Sequence, residues 1–167
     1  MASDGTFYRY QGYGAFFETY STGATPPPDC VLRINPGERS FDPNYMSELG
    51  PTNNMWSVGD HGAVVMKVDP NATFPSEENL WDWYALPVVP TLVDLETGEE
   101  SAYSGLSNEP PMNARKLIVD GQSYFQLNSF NEDGDVTQTR LMRLTSSGAE
   151  EVFVLKGGDF LTLERLW

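Results

Sequence analysis

The stretch that decides the fold is residues 114–167, ARKLIVDGQSYFQLNSFNEDGDVTQTRLMRLTSSGAEEVFVLKGGDFLTLERLW. It holds five short apolar runs, at residues 114–119, 122–128, 137–144, 151–155 and 160–163. Pairs that favour turns, such as Asp120-Gly121, Ser147-Gly148 and Gly157-Gly158, separate these runs. No apolar repeat of about 3.6 residues persists over the roughly ten residues that a helix needs. The stretch therefore predicts consecutive antiparallel strands, a β-meander.

Length and composition favour one all-β domain. The 167 residues can bury one sizeable core, so we expect a single domain over residues 1–167. Charged residues make up 20% of the chain and apolar residues 40%, as in folded globular proteins. The 15 glycines and 12 prolines suit many short strands joined by turns.

The charge of the chain excludes some partners. A net charge of −14 argues against nucleic acid, whose binding normally needs a basic face, and against adsorption to anionic membranes. The single cysteine, Cys30, has no second cysteine with which to form an intramolecular disulfide. Residues 1–5 carry neither a basic nor an apolar segment of a signal peptide. A cytoplasmic protein and one that has lost its leader are both left open.

Three segments of the chain look related. Residues 10–17, 58–65 and 118–125 each read as a strand, a glycine-bearing turn and a more apolar strand. A third strand is predicted in each unit at residues 30–34, 81–86 and 139–144, and a fourth near residues 39–41, 91–93 and 151–155. The units span about 5–50, 51–111 and 112–167, which approaches the 40–50 residues of a four-stranded propeller blade. We therefore predict about three blades of a partial β-propeller, with a closed β-barrel or a sandwich as the alternative.

A resemblance sharpens this prediction. Residues 30–45, CVLRINPGERSFDPNY, resemble a passage of exported bacterial propellers that are associated with siderophore uptake, the MxcI-type, TolB-like family. Trp81-Asp82-Trp83-Tyr84 resembles the passage that follows it, and the final meander resembles the C-terminal blades. Such propellers are more than twice as long as this chain. The resemblance implies a C-terminal portion of the ring, a periplasmic or cell-surface location, and another chain to close the ring.

The residues themselves show no catalytic constellation. His61 is the only histidine and lies in a Gly-Asp-His-Gly turn, so an exposed loop residue is favoured over a general base. Cys30 on a strand is read as a small buried residue rather than as a nucleophile. We therefore expect no enzyme, no metal site and no cofactor.

Aromatic and arginine side chains are the remaining signal. Tyrosines and tryptophans lie near predicted strand ends, and Arg9, Arg33, Arg140 and Arg143 lie on predicted strands. Such surfaces suit anionic aromatic ligands such as catecholates, although aromatic side chains also fill the space between sheets. The predicted ligand-binding residues are Tyr10, Trp56, His61, Trp81, Trp83 and Arg143.

Three functions remain open. The first is a non-enzymatic binding protein for a siderophore or another small ligand, or for an outer-membrane transporter, as the resemblance implies. The second is a structural or interaction module, half of a split or dimeric ring completed by a second copy or a partner chain. The third is a β-barrel carrier of a small ligand.

Overall fold

Throughout the part of the chain that it describes, the computed structural model consists of strands and turns, with no helix. It describes residues 2–11, 29–73, 85–108 and 115–157. The strands form three antiparallel sheets in which each strand pairs with its neighbour in sequence. The prediction of an all-β protein built from antiparallel meanders is therefore confirmed.

The strands of the three sheets follow one another along the chain. The first sheet contains β1 (Phe7–Gln11), β2 (Cys30–Ile34) and β3 (Met46–Glu48). The second contains β4 (Thr52–Val58), β5 (Gly62–Val68), β6 (Val88–Asp94) and β7 (Glu100–Ala102). The third contains β8 (Arg115–Val119), β9 (Gln122–Phe130), β10 (Val136–Thr145) and β11 (Gly148–Lys156).

The predicted turn at Asp120-Gly121 forms between β8 and β9. Val119 and Gln122 pair across β8 and β9, so Asp120 and Gly121 alone make the connection. Both residues have positive φ angles, 49° and 76°, which a two-residue hairpin turn compatible with strand twist requires. Asp tolerates this backbone region better than most residues, and Gly adopts it freely.

The second sheet lies between the other two. On one face of β5, Val64 and Met66 belong to a cluster with Trp56, Phe125 and Leu144, which joins the second and third sheets. On the opposite face, Ala63 and Val65 belong to a cluster that joins the second sheet to the first. Because both faces are covered, residues 63–66 of β5 are all apolar and all buried rather than alternating.

Three meanders stacked in chain order are the arrangement of consecutive propeller blades. The first strand of each sheet, β1, β4 and β8, lies at a sheet edge. The described strands do not close into a barrel, because they form three separate sheets. A sandwich of two sheets does not describe them either, so both alternative architectures are wrong for this part of the chain.

Two of the predicted fourth strands are misplaced. In the first sheet the last strand is Met46–Glu48 rather than residues 39–41, which form a loop. Asp42 holds that loop, since its backbone N–H donates to Arg33 O at 2.8 Å and its carboxylate pairs with the Arg33 guanidinium at 2.6 Å. In the second sheet β6 is the third strand and β7 the fourth. The predicted third strand at residues 81–86 falls mainly outside the described residues, and Ala85 and Leu86 lie in a turn.

Candidate functional site

The first strands of the three sheets border a common cleft of about 600 Å³. Residues 7–10 of β1 line it on one side, Met55 and Ser57 of β4 lie at its centre, and Ile118 of β8 lines it on the other side. The turns after β4 and β8 contribute Asp60 and Gly121. The meander order creates this site, because it places the first strand of every sheet at an edge and the stacking brings those edges together.

Tyr8 and Tyr10 lie in the cleft lining with their hydroxyl groups already engaged. Tyr8 Oη lies 2.8 Å from His61 Nδ1, and Tyr10 Oη hydrogen-bonds to Thr52 Oγ1. Burial raises the pKa of each phenol to about 12, so both are neutral at physiological pH. The two tyrosines therefore offer ring surface to a ligand rather than a free hydroxyl or a phenolate.

A directed chain of hydrogen bonds fixes Tyr10. Thr52 donates to Asp29 Oδ2 twice, from its backbone N–H and from its hydroxyl, each at 2.8 Å. Because the Thr52 hydroxyl proton is committed to the carboxylate, Thr52 Oγ1 must accept from Tyr10. Asp29 and Thr52 are buried, 9% and 8% exposed, so the chain is shielded from solvent.

The turn between β4 and β5 is held against the N-terminal segment. Asp60 accepts hydrogen bonds from Ser3 N at 3.0 Å and from Ser3 Oγ at 2.8 Å. His61 Nε2 lies 3.8 Å from Asp4 Oδ2, while its Nδ1 contacts Tyr8. Ala2 is buried and also lines the cleft, so residues 2–4 form part of its wall.

Exposed apolar side chains border the same cleft. Phe7 on β1 is 44% exposed and Ile118 on β8 is 58% exposed. Arg9, two residues after Phe7 and on the same face of β1, is exposed as well. These are the groups that a bound ligand would cover.

The structure describes four of the six predicted site residues, and it does not bring these four together. Tyr10 lines the cleft, and His61 lies beside it through its contact with Tyr8. Trp56 is a core residue, 3% exposed, whose ring meets the edge of Phe125 with centroids 4.8 Å apart. Arg143 is exposed on the third sheet, where it pairs with Glu150. Trp81 and Trp83 lie outside the described residues.

The exposed large apolar residues of the cleft, Phe7 and Ile118, are not among the predicted site residues, and Arg9 is predicted only to lie on a strand. Their shared signal is position: each lies on the first strand of a meander. First strands of stacked meanders fall at the same edge, so this signal was available in the sequence. The prediction of tryptophans as ligand-binding residues does not use this positional signal. A large aromatic side chain can lie in the core or on the surface, so its size alone does not identify a binding residue.

Among the described residues no three His, Cys, Asp or Glu side chains lie close enough to hold a metal ion. Comparisons with family models, with curated proteins and with solved structures found no match for this chain. None of the described segments forms a helix that could span a membrane.

Proposed function

We propose that this chain is a non-enzymatic binding protein that holds a small ligand in the cleft between the first strands of its three sheets. The observation that supports the proposal is the cleft itself, about 600 Å³ and bordered by the exposed side chains of Phe7 and Ile118. Apolar side chains at the rim of a concave site gain free energy when a ligand removes them from water. A pocket of this size suits a compact organic molecule.

Ferric siderophores belong to this proposal as one ligand class, because residues 30–45 resemble siderophore-associated propellers. An exported protein that passes its ligand to an outer-membrane transporter fits the same class. The cleft supports this class through the aromatic rings of Tyr8 and Tyr10, which suit flat aromatic groups.

The test uses a neutral fluorescent amphipath, N-phenylnaphthylamine, together with a ferric catecholate. We expect saturable binding of at least one of them, with one ligand per chain. Ile118→Asp should weaken this binding about tenfold or more, because it places a charge where the ligand buries apolar surface. Val152→Asp is the matched control, since Val152 is 52% exposed on β11, away from the cleft. Binding that Ile118→Asp leaves unchanged would refute the proposal.

A second candidate, an interaction module, draws support from the outer face of the first sheet. By the strand register Phe7 and Arg9 of β1 share that face with Leu32 and Met46, so this face meets the cleft along the edge formed by β1. Met46 is 58% exposed. The outer face of the third sheet differs, because Gln126 and Thr139 there are fully buried. Under this candidate a second copy covers the first sheet's outer face, and light scattering gives twice the 18.6 kDa of one chain. Met46→Asp should then return the protein to a monomer, and a monomeric parent protein would exclude this candidate.

A further inference from the structure

We infer that the ligand of this cleft carries a single anionic group, which pairs with Arg9, joined to an apolar or aromatic body. The inference rests on the proposed function and names the class of ligand.

Arg9 is a free cation at the rim of the cleft. It lines the cleft and is exposed, and its guanidinium forms no ion pair or hydrogen bond with any residue that the structure describes. Three other basic side chains of this acidic protein are paired with carboxylates: Arg33 with Asp42, Lys67 with Glu100, and Arg143 with Glu150. Arg9 is distinguished by being unpaired and lining the cleft. A guanidinium presents a planar fork of N–H donors that matches a carboxylate or a sulfonate.

The other polar groups of the cleft are already engaged. The Tyr8 and Tyr10 hydroxyls contact His61 and Thr52, and the Asp60 carboxylate accepts two hydrogen bonds from Ser3. The Asp60 carboxylate is therefore already hydrogen-bonded within the protein. Arg9 is the charged group of the lining that remains available.

The apolar part of the ligand has a place beside this cation. Phe7 lies on the same face of β1 as Arg9, and Ile118 lies on the opposite side of the cleft. An anionic head at Arg9 thus leaves the body of the ligand between two exposed apolar side chains. A net charge of −14 repels a multiply charged anion such as a ferric tris-catecholate, so within the ligand classes proposed above the inference favours singly charged ligands, which suffer less of this repulsion and are matched by Arg9.

The test compares two fluorescent probes that differ by one charge. Anilinonaphthalene sulfonate carries one sulfonate, and N-phenylnaphthylamine has the same aromatic body without it. We expect Arg9→Gln to weaken binding of the sulfonate about tenfold while the affinity for the neutral probe stays within about twofold. Arg143→Gln is the matched control, because Arg143 lies away from the cleft, and it should leave both affinities unchanged.

The outcomes separate the two proposals. If Ile118→Asp weakens the binding of both probes but Arg9→Gln changes neither, the cleft binds ligands and the anionic class is wrong. If the Arg9→Gln effect falls equally on both probes, Arg9 acts through the shape of the cleft, and the charge pairing is refuted. If neither of these probes nor the ferric catecholate binds the folded protein, the proposed function itself fails. Circular dichroism of each variant excludes unfolding as the cause.

Discussion

The hydrogen-bond chain Tyr10–Thr52–Asp29 allows a quantitative test of how the cleft wall is held. Thr52→Val keeps the shape of the side chain and removes its hydroxyl. The variant loses a buried, charge-assisted bond to Asp29 and leaves the Tyr10 hydroxyl without its acceptor. Hydrogen bonds to charged groups contribute about 1.5–3 kcal/mol, so we expect a loss of about 2 kcal/mol in the free energy of unfolding. For a chain of 167 residues this lowers Tm by about 4–8 °C.

Urea unfolding followed by tryptophan fluorescence measures the loss, and a double-mutant cycle tests its cause. Tyr10→Phe alone should cost about 1 kcal/mol, because it removes only the end of the chain. In the Thr52→Val background the same change should cost clearly less, because its partner is gone. Thr73→Val, in an exposed loop, is the control and should stay within about 0.5 kcal/mol of the parent. A Thr52→Val cost below about 0.5 kcal/mol, or strict additivity in the cycle, would refute the reasoning.

Three further predictions concern the core and the response to pH. Phe125→Ala should cost about 4 kcal/mol in chemical unfolding, since Phe125 is 1% exposed and packs on Trp56, and a cost below about 2 kcal/mol would argue against this core. Hydrogen bonds from the backbone N–H groups of Thr97 and Glu96 lower the pKa of Asp94 in the folded protein. The ionised carboxylate therefore stabilises the fold at pH values above 3.8, the ordinary pKa, and this stabilisation is lost as the pH falls through the lower pKa of the folded state. In Asp94→Asn the free energy of unfolding should therefore fall less steeply as the pH is lowered below 3.8. An unchanged pH dependence would contradict this role of Asp94. At alkaline pH, burial raises the pKa of Tyr8, Tyr10 and Tyr103 from 10.0 to about 12. The free energy of unfolding should therefore fall between pH 10 and about pH 12, because these tyrosines lose their protons more readily in the unfolded chain. Tyrosinate absorbance should show these late ionisations, and complete titration near pH 10 in the folded protein would contradict them.

The strands of the third sheet could be predicted closely because local signals agree there. Asp120-Gly121 fixes a two-residue turn, and Val119 pairs with Gln122 directly across it. The second sheet was harder, because β6 runs through Pro90 in a position between two other strands. Proline usually marks an edge strand or the end of a strand, so the strand was predicted to begin after it. The pairing of β6 with both β5 and β7 overrides that local rule.

The candidate site could be predicted only in part, for a related reason. Tyr10 was found because it is an aromatic residue on a predicted strand. Trp56 has the same local signal but lies in the core, since the face it occupies on β4 is covered by Phe125 of the third sheet. Which face of a strand is covered depends on contacts far apart in sequence, and composition does not report it. The position of a strand within its meander is the signal that identifies the residues of the cleft.

A titration followed by two-dimensional amide NMR tests most directly whether the cleft between the first strands binds a ligand. We predict that N-phenylnaphthylamine shifts amide signals of residues 7–10, 55–62 and 118–123 together, with one common saturation curve. These three segments are far apart in sequence and all contribute to the lining of the cleft. Saturable shifts confined to other surfaces, such as β10 and β11 of the third sheet, would contradict this account of the site. The absence of any shift up to the solubility limit of the probe would contradict it as well.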